Sequence, residues 1–195
     1  MNNIILIIVA YLLGSFPSAL VIGKTFYQKD IRNYGSGNLG STNAFRVLGK
    51  KGGSVVFILD ILKGGLALLL ATYGGATIPP LIIAVFALIG HIYPIFANFK
   101  GGKAVATSAG IILFYSPLLF ITLFIIFVIT LKIWKMVSLS STIISIATVF
   151  IIWFVGDFDL SAQIMFSIFA ALIIIKHIPN YKRILNGTEN KVSFL

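Results

Sequence analysis

Long apolar stretches separated by short polar segments run along the whole chain. Those at residues 4–22, 54–72, 78–97, 137–155 and 160–175 approach or reach the length that crosses a hydrocarbon core of about 30 Å. Residues 104–131 form a longer apolar stretch that contains Ser116-Pro117, where a proline would end one helix and begin another. The pattern predicts an all-α polytopic membrane protein.

The positive charges decide how many times the chain crosses the membrane. If Ser116-Pro117 separates two helices, there are seven spans, and every Lys and Arg except Lys63 lies in segments on one side. The opposite segments, residues 73–77, around 116 and 156–159, hold no Lys or Arg. Because Lys and Arg concentrate in cytoplasmic loops, we predict seven transmembrane helices, an outside N-terminus and a cytoplasmic C-terminus. The helix at 104–115 is short, and its full crossing is left open.

Composition narrows the class of protein further. The chain is 58% hydrophobic and 10% charged, which is typical of a single integral membrane domain over residues 1–195. The net charge of +10 lies in short loops between spans, so we expect a lipid bilayer as partner and no nucleic acid. With no cysteine and two distant histidines, we expect no metal and no cofactor. The oligomeric state is left open.

Two glycine-rich, basic segments are candidates for binding phosphate. Their glycines allow close backbone approach and their polar side chains supply donors. The residues are Ser36, Gly37, Asn38, Thr42, Asn43, Arg46 and Lys50 in the first segment, and Lys100, Gly101, Gly102 and Lys103 in the second. Residues 35–40 match GxGxxG, but a membrane span precedes them where a dinucleotide fingerprint requires a strand. Solvated loops with charges that set topology are the alternative interpretation.

Other polar residues lie on the same predicted side or inside spans. Ser141 opens one span, and His177 and Asn180 close the last. Asp60 and Lys63 lie one helical turn apart, which predicts a mutual ion pair, with Lys63 reaching the first glycine segment as the alternative. We expect His91 to be a packed, hydrogen-bonded residue that braces the second segment, with a catalytic role as the alternative. We also expect Glu189 and Lys191 to belong to a solvated tail.

Taken together, these residues resemble the bacterial acyl-phosphate:glycerol-3-phosphate acyltransferase family, known as the PlsY family. Five motifs carry the resemblance in order along nearly the whole chain. They start at Ser36-Gly37-Asn38, Asp60-x-x-Lys63-Gly64, Gly90-His91-x-x-Pro94, Val137-Ser138-Leu139 and His177-x-x-Asn180.

The resemblance implies acyl transfer from acyl phosphate to the sn-1 hydroxyl of glycerol 3-phosphate at the bacterial inner membrane. Arg46, Lys103, His177 and Asn180 are then the predicted catalytic residues. The predicted substrate-binding residues are Ser36, Gly37, Asn38, Thr42, Asn43, Lys50, Lys100, Gly101, Gly102 and Ser141. The proton acceptor is either His177 or the departing phosphate. A membrane carrier for a phosphorylated metabolite is the alternative function.

Overall fold

The computed structural model describes residues 2–192. Within that range the chain forms only helices and connecting segments, so the all-α prediction is confirmed. The α-helices are α1 Asn3–Ser15, α2 Ser18–Tyr27, α3 Ser41–Tyr73, α4 Pro80–Ile92, α5 Val105–Tyr115, α6 Pro117–Trp134, α7 Val137–Phe154, α8 Leu160–Lys176 and α9 Ile178–Leu185. Short 3-10 helices lie at Ile31–Asn33 and Ile95–Ala97. The end of the predicted polar tail, residues 193–195, lies outside the described residues.

The helices form two compact units, Met1–Tyr115 and Ser116–Leu195. The first unit contains α1 to α5, and the second contains α6 to α9. The expectation of a single domain stays a prediction.

Several helices have the length and composition of membrane spans. Among the described residues, α3, Pro80–Ala97, α6 and α7 each qualify alone. Two bent pairs qualify together: α1 with α2, bent by 40°, and α8 with α9, bent by 49°. Helix α5 has 11 residues, or about 16 Å at the usual rise per residue, so it covers about half of a hydrocarbon core. The protein therefore has four to six candidate spans and one short apolar helix.

The first predicted span is broken where the sequence reads Phe16-Pro17. Helix α1 ends at Ser15 and α2 begins at Ser18, because the ring of Pro17 cannot continue a helix and supplies no N–H. The carbonyl oxygen of Phe16 accepts hydrogen bonds from Ser18 N at 3.0 Å and from the ammonium of Lys63 at 3.1 Å. The backbone acceptor exposed at the break is thus satisfied inside the protein.

Helix α3 begins inside the first glycine segment, at Ser41, and continues for 33 residues. Only Gly49 departs from helical geometry, with φ 72° and ψ −174°. A left-handed φ is accessible to glycine without strain, so Gly49 allows a kink between the basic first part of α3 and the predicted span that follows. The span predicted at residues 54–72 is therefore preceded by helical residues that start at residue 41.

Glycines set close helix contacts in the first unit. A Cβ built on Gly110 of α5 would overlap the carbonyl oxygen of Ile61 in α3, and one on Gly64 would overlap that of Thr107. Small residues allow such close approach between membrane helices. Asp60 and Lys63 are buried in the middle of α3.

In the second unit, α7 packs against both α6 and α8. The predicted break at Ser116-Pro117 is confirmed, since Ser116 caps α6 by accepting from Leu119 N at 3.4 Å. After the bend at His177, helix α9 extends the helical structure to residue 185. Pro179 does not prevent this helix because proline is tolerated in the first turn.

Candidate active site

The first glycine segment is organised by the side chain of Asn43. Its Oδ1 accepts from Ser36 N at 2.9 Å, and its Nδ2 donates to the carbonyls of Asn38 at 3.0 Å and Tyr34 at 3.2 Å. Asn43 is 2% exposed. Gly35 takes a left-handed φ of 61°, and a Cβ there would overlap Asn43 Oδ1. The loop is therefore held in one shape by a buried amide at its centre.

Residues of this loop divide into those turned inward and those exposed. Asn38 Oδ1 accepts from Gly40 N at 2.7 Å, so Asn38, like Asn43, supports the loop. Ser36, Gly37 and Thr42 are exposed. Asn43 N and Ala44 N donate to Gly40 O, whereas the N–H groups of Ser41 and Thr42 precede the first hydrogen bond of α3 and carry the positive end of the helix dipole. The exposed rim of the loop can thus bind an anion, while substrate contacts by Asn38 and Asn43 stay a prediction.

Arg46 lies beside this loop. Its Cδ is 3.4 Å from the place a Cβ on Gly35 would take, and the residue is exposed. Thr42 and Arg46 are four residues apart in α3 and so share a helix face. Lys50 follows the kink at Gly49 and is exposed. The structure therefore brings Arg46 to the loop, as the predicted role requires.

Charges just before the loop neutralise each other. Arg32 donates to both carboxylate oxygens of Asp30, from Nε at 2.9 Å and from Nη2 at 2.6 Å. Hydrogen bonding from Arg32 holds the pKa of Asp30 well below its usual range. Because Arg32 is paired in this way, it fits the alternative interpretation, in which these charges belong to a solvated loop and do not bind phosphate.

Gly101 and Gly102 of the second segment pack against the end of α4. Gly101 N donates to Ile92 O at 3.2 Å, and Gly102 N donates to His91 O at 3.0 Å. A Cβ on Gly102 would overlap His91 Nε2. The paired glycines are therefore explained by close approach to α4, and their N–H groups already have acceptors. Phosphate binding by these two glycines stays a prediction.

The two lysines of this segment differ in exposure. Lys100 is exposed and Lys103 is half-buried, and α5 begins two residues after Lys103. An anion binding here would meet lysine side chains and the N-terminal end of α5.

A buried polar cluster lies in the same unit. Lys63 Nζ is 2.8 Å from Asp60 Oδ1, so the predicted ion pair is confirmed. Ser18 donates to Asp60 Oδ1 at 2.9 Å, and Ser41 donates to Oδ2 at 3.1 Å. His91 Nδ1 is 3.7 Å from Asp60 Oδ1. A cavity of about 10 Å³ borders these residues, room for about one water molecule.

In the second unit, Ser141, His177 and Asn180 are all buried. Ser141 Oγ donates to Val137 O at 2.8 Å, within its own helix. His177 Nδ1 is 2.8 Å from Ile173 O. Because a carbonyl oxygen only accepts, Nδ1 carries the proton of the neutral ring and Nε2 is its acceptor nitrogen. This tautomer is the one that a general base or a hydroxyl-orienting acceptor needs.

Glu189 is a half-buried residue of this unit. Its Oε1 accepts from Ser138 Oγ at 2.7 Å and Asn180 Nδ2 at 2.6 Å, and its Oε2 accepts from Arg183 Nε at 2.8 Å. Its side chain is 7% exposed. Burial opposes ionisation, but these hydrogen bonds and the charge of Arg183 outweigh it and lower the pKa of Glu189.

The prediction of a solvated tail was therefore wrong for Glu189. A signal was present in the sequence, because Asn180 and Arg183 place two donors on one face of a helix and Glu189 is the one acid after them.

Comparisons with known proteins agree on one family. A family model of glycerol-3-phosphate acyltransferase matches residues 4–187. The chain belongs to this family. A glycerol-3-phosphate acyltransferase of Bacillus subtilis is 54% identical over 191 residues, 98% of each chain. One from Listeria monocytogenes is 50% identical over 197 residues, 100% of this chain and 98% of the relative.

Two crystal structures of PlsY (YgiH), an integral membrane glycerol 3-phosphate acyltransferase, share the fold. Its glycerol 3-phosphate form has a TM-score of 0.92 at 37% identity, covering 99% of this chain and 96% of that one. Its lysophosphatidic acid form has a TM-score of 0.89 at 35% identity, with the same coverage. The similarity to this family thus extends over nearly the whole chain, in sequence and in fold.

Proposed function

We propose that this protein transfers a fatty acyl group from acyl phosphate to the sn-1 hydroxyl of glycerol 3-phosphate. The hydroxyl oxygen attacks the acyl carbonyl carbon, the bond from that carbon to the phosphate oxygen breaks, and phosphate leaves with the hydroxyl proton. The products are lysophosphatidic acid and inorganic phosphate. The supporting observation is full-length similarity to a PlsY whose two crystal forms are a glycerol 3-phosphate form and a lysophosphatidic acid form.

We further propose seven spans, with the N-terminus outside and the C-terminus in the cytoplasm of a bacterial inner membrane. Four helices qualify alone, two bent pairs add two spans, and α5 adds a short seventh. The sorting of Lys and Arg supports this orientation. It suits the reaction, because an acyl chain can remain in the bilayer while a soluble phosphorylated acceptor arrives from the cytoplasm.

In this proposal, the first glycine segment receives the phosphate of the donor. Ser36, Gly37 and Thr42 present exposed groups beside the N-terminal end of α3, and Asn38 and Asn43 hold the loop in shape. Anions are stabilised at such helix ends. The loop is preformed, so binding requires little ordering.

Positive side chains then stabilise the charge that develops on the carbonyl oxygen and the departing phosphate. Arg46 lies beside the loop, and Lys103 precedes α5 in the same unit. Stabilisation of developing charge by fixed groups is commonly the largest catalytic term. Lys50 or Lys100, both exposed, would bind the phosphate of the acceptor.

We assign Ser141, His177 and Asn180 to the hydroxyl groups of glycerol 3-phosphate. His177 supports this role through its acceptor nitrogen, Nε2, and Asn180 through an amide already fixed by Glu189. We favour the departing phosphate as proton acceptor, since its second pKa lies near neutrality. The proposed transfer is direct and forms no covalent acyl-enzyme intermediate.

The test uses purified protein in detergent with long-chain acyl phosphate and glycerol 3-phosphate. We expect inorganic phosphate and lysophosphatidate in equal amounts, with the acyl group at sn-1 by NMR. Acyl-CoA offered instead should give no product above background. Product from acyl-CoA alone would contradict the proposed donor. No product together with transport of glycerol 3-phosphate across vesicles would favour the carrier.

A further inference from the structure

The carboxylate of Asp60 is a junction between three helices of the first unit. It accepts from Ser18 on α2 and Ser41 on α3, pairs with Lys63, and lies 3.7 Å from His91 Nδ1 on α4. Asp60 itself is 1% exposed. A buried carboxylate in a span is costly, and a single neighbouring lysine is enough to neutralise it. The contacts with Ser41 and His91 go beyond neutralisation.

Through Ser41, Asp60 reaches the first glycine segment. Ser41 is the first residue of α3 and follows Gly40, whose N–H is held by Asn38. Its hydroxyl donates to Asp60 Oδ2, the oxygen that is not shared with Lys63. The carboxylate therefore fixes the position of the first turn of α3 through this hydrogen bond. The N–H groups that the turn presents are fixed with it.

Through His91, Asp60 lies next to the second glycine segment. The His91 ring fills the space in which Gly102 has no side chain, and its carbonyl accepts from Gly102 N. Among the described residues, His91 Nδ1 has no hydrogen-bond partner and is buried facing the carboxylate. The Asp60 carboxylate thus lies close to one residue at each segment, Ser41 at the first and His91 at the second.

We propose that Asp60 is a positioning residue for acyl transfer, which sets the placement of both glycine segments without touching substrate. This rests on the proposed function. Lys63 pairs with the carboxylate and donates to Phe16 O. Ser41 links the carboxylate to the first segment by a hydrogen bond, and His91, which lies 3.7 Å from the carboxylate, packs against Gly102 of the second.

Two serines give a matched test, because each donates one hydrogen bond to the same carboxylate. Ser18 is 1% exposed and has no part in either glycine segment, whereas Ser41 is half-buried and begins α3. Ser18→Ala should therefore lower the melting temperature at least as much as Ser41→Ala. We expect Ser41→Ala to lower kcat/KM by about 10-fold or more, the equivalent of one hydrogen bond to a charged group, and Ser18→Ala to change it by less than about 2-fold. Ser41→Thr, which keeps the hydroxyl, should restore the rate.

A second comparison separates positioning from direct contact of Ser41 with substrate. Asp60→Leu alone leaves Lys63 buried and unpaired, so the background is the double variant Asp60→Leu/Lys63→Met, which removes both charges and the acceptor of Ser41. We expect this background to be folded and slow, and adding Ser41→Ala to it should cost less than about 2-fold. The same loss as in the unaltered protein would overturn the proposal, because Ser41 would then act without Asp60.

The remaining outcomes are also decisive. A double variant with full activity would overturn the proposal. It would also be overturned if the losses of activity in Ser18→Ala and Ser41→Ala simply followed their losses of thermal stability. An unaltered protein that makes no lysophosphatidate would instead refute the proposed function, so the two failures are distinguishable.

Discussion

Replacing Glu189 by Gln tests whether the segment after α9 is held in place by one carboxylate. The substitution keeps the size of the side chain but turns one acceptor oxygen into an NH₂ group. If the amide oxygen stays with Ser138 and Asn180, the NH₂ faces Arg183 Nε, donor against donor.

The expected loss follows from that geometry. One hydrogen bond to a charged group contributes about 1.5–3 kcal/mol, and the 7% exposure of the Glu189 side chain leaves little water to replace it. For a chain of this size, that corresponds to a melting temperature lower by about 3–12 °C. Activity should fall as well, because the neutral amide oxygen of Gln is a weaker acceptor than the carboxylate and holds the Asn180 amide less firmly.

The assay is thermal unfolding in detergent at pH 7, with initial rates measured well below the transition. Lys191→Gln is the control, because it removes an exposed charge two residues away and should change neither quantity. A Glu189→Gln protein that melts within about 1 °C of the unaltered protein and turns over normally would refute the argument.

Four further outcomes are expected. The pKa of Glu189 is lowered from 4.5, so the stabilisation by its carboxylate is complete above pH 4.5 and is lost as the pH falls through the folded-state pKa. Melting temperatures measured from pH 7 to pH 3 should fall for this reason in the unaltered protein. In Glu189→Gln this part of the pH dependence should be absent. Gly102→Ala should destabilise by about 1–3 kcal/mol in thermal unfolding, because its Cβ meets His91 Nε2. Arg46→Ala should melt normally because Arg46 is exposed, yet lose about 100-fold in kcat; near-normal turnover would remove Arg46 from the mechanism. His177→Ala should cost about 10–100-fold while keeping the rate limb between about pH 6 and 7, and a vanished limb would make His177 the base.

Hydrophobic length and charge predicted most of the fold. The spans at 54–72 and 137–155, and the break at Ser116-Pro117, correspond to α3, α7 and the start of α6. These features are set locally, by apolar composition and by proline. The interruption at Pro17 and the helix after His177 depend on how the chain satisfies its backbone groups at a bend, which periodicity does not encode.

The candidate site was only partly predictable for a similar reason. The Asp60–Lys63 pair is readable because two charges one turn apart in lipid need each other. Three features depend on contacts between residues distant in sequence. These are the inward role of Asn43, the packing of Gly102 on His91, and the burial of Glu189. Glycine and asparagine in a polar loop look the same in sequence whether they face a ligand or the protein.

The contact of Lys63 with Phe16 O links two positions far apart in the chain. The helix break at Pro17 leaves the carbonyl of Phe16 without a helical donor, and the ammonium of Lys63 supplies a hydrogen bond of the kind that water gives at a helix end in solution. Replacing Pro17 by a helix-forming residue would return that carbonyl to the helix and leave Lys63 with a surplus donor. Replacing Lys63 alone would leave the carbonyl with only the hydrogen bond from Ser18 N. We therefore expect homologous sequences to keep or lose this proline and this lysine together.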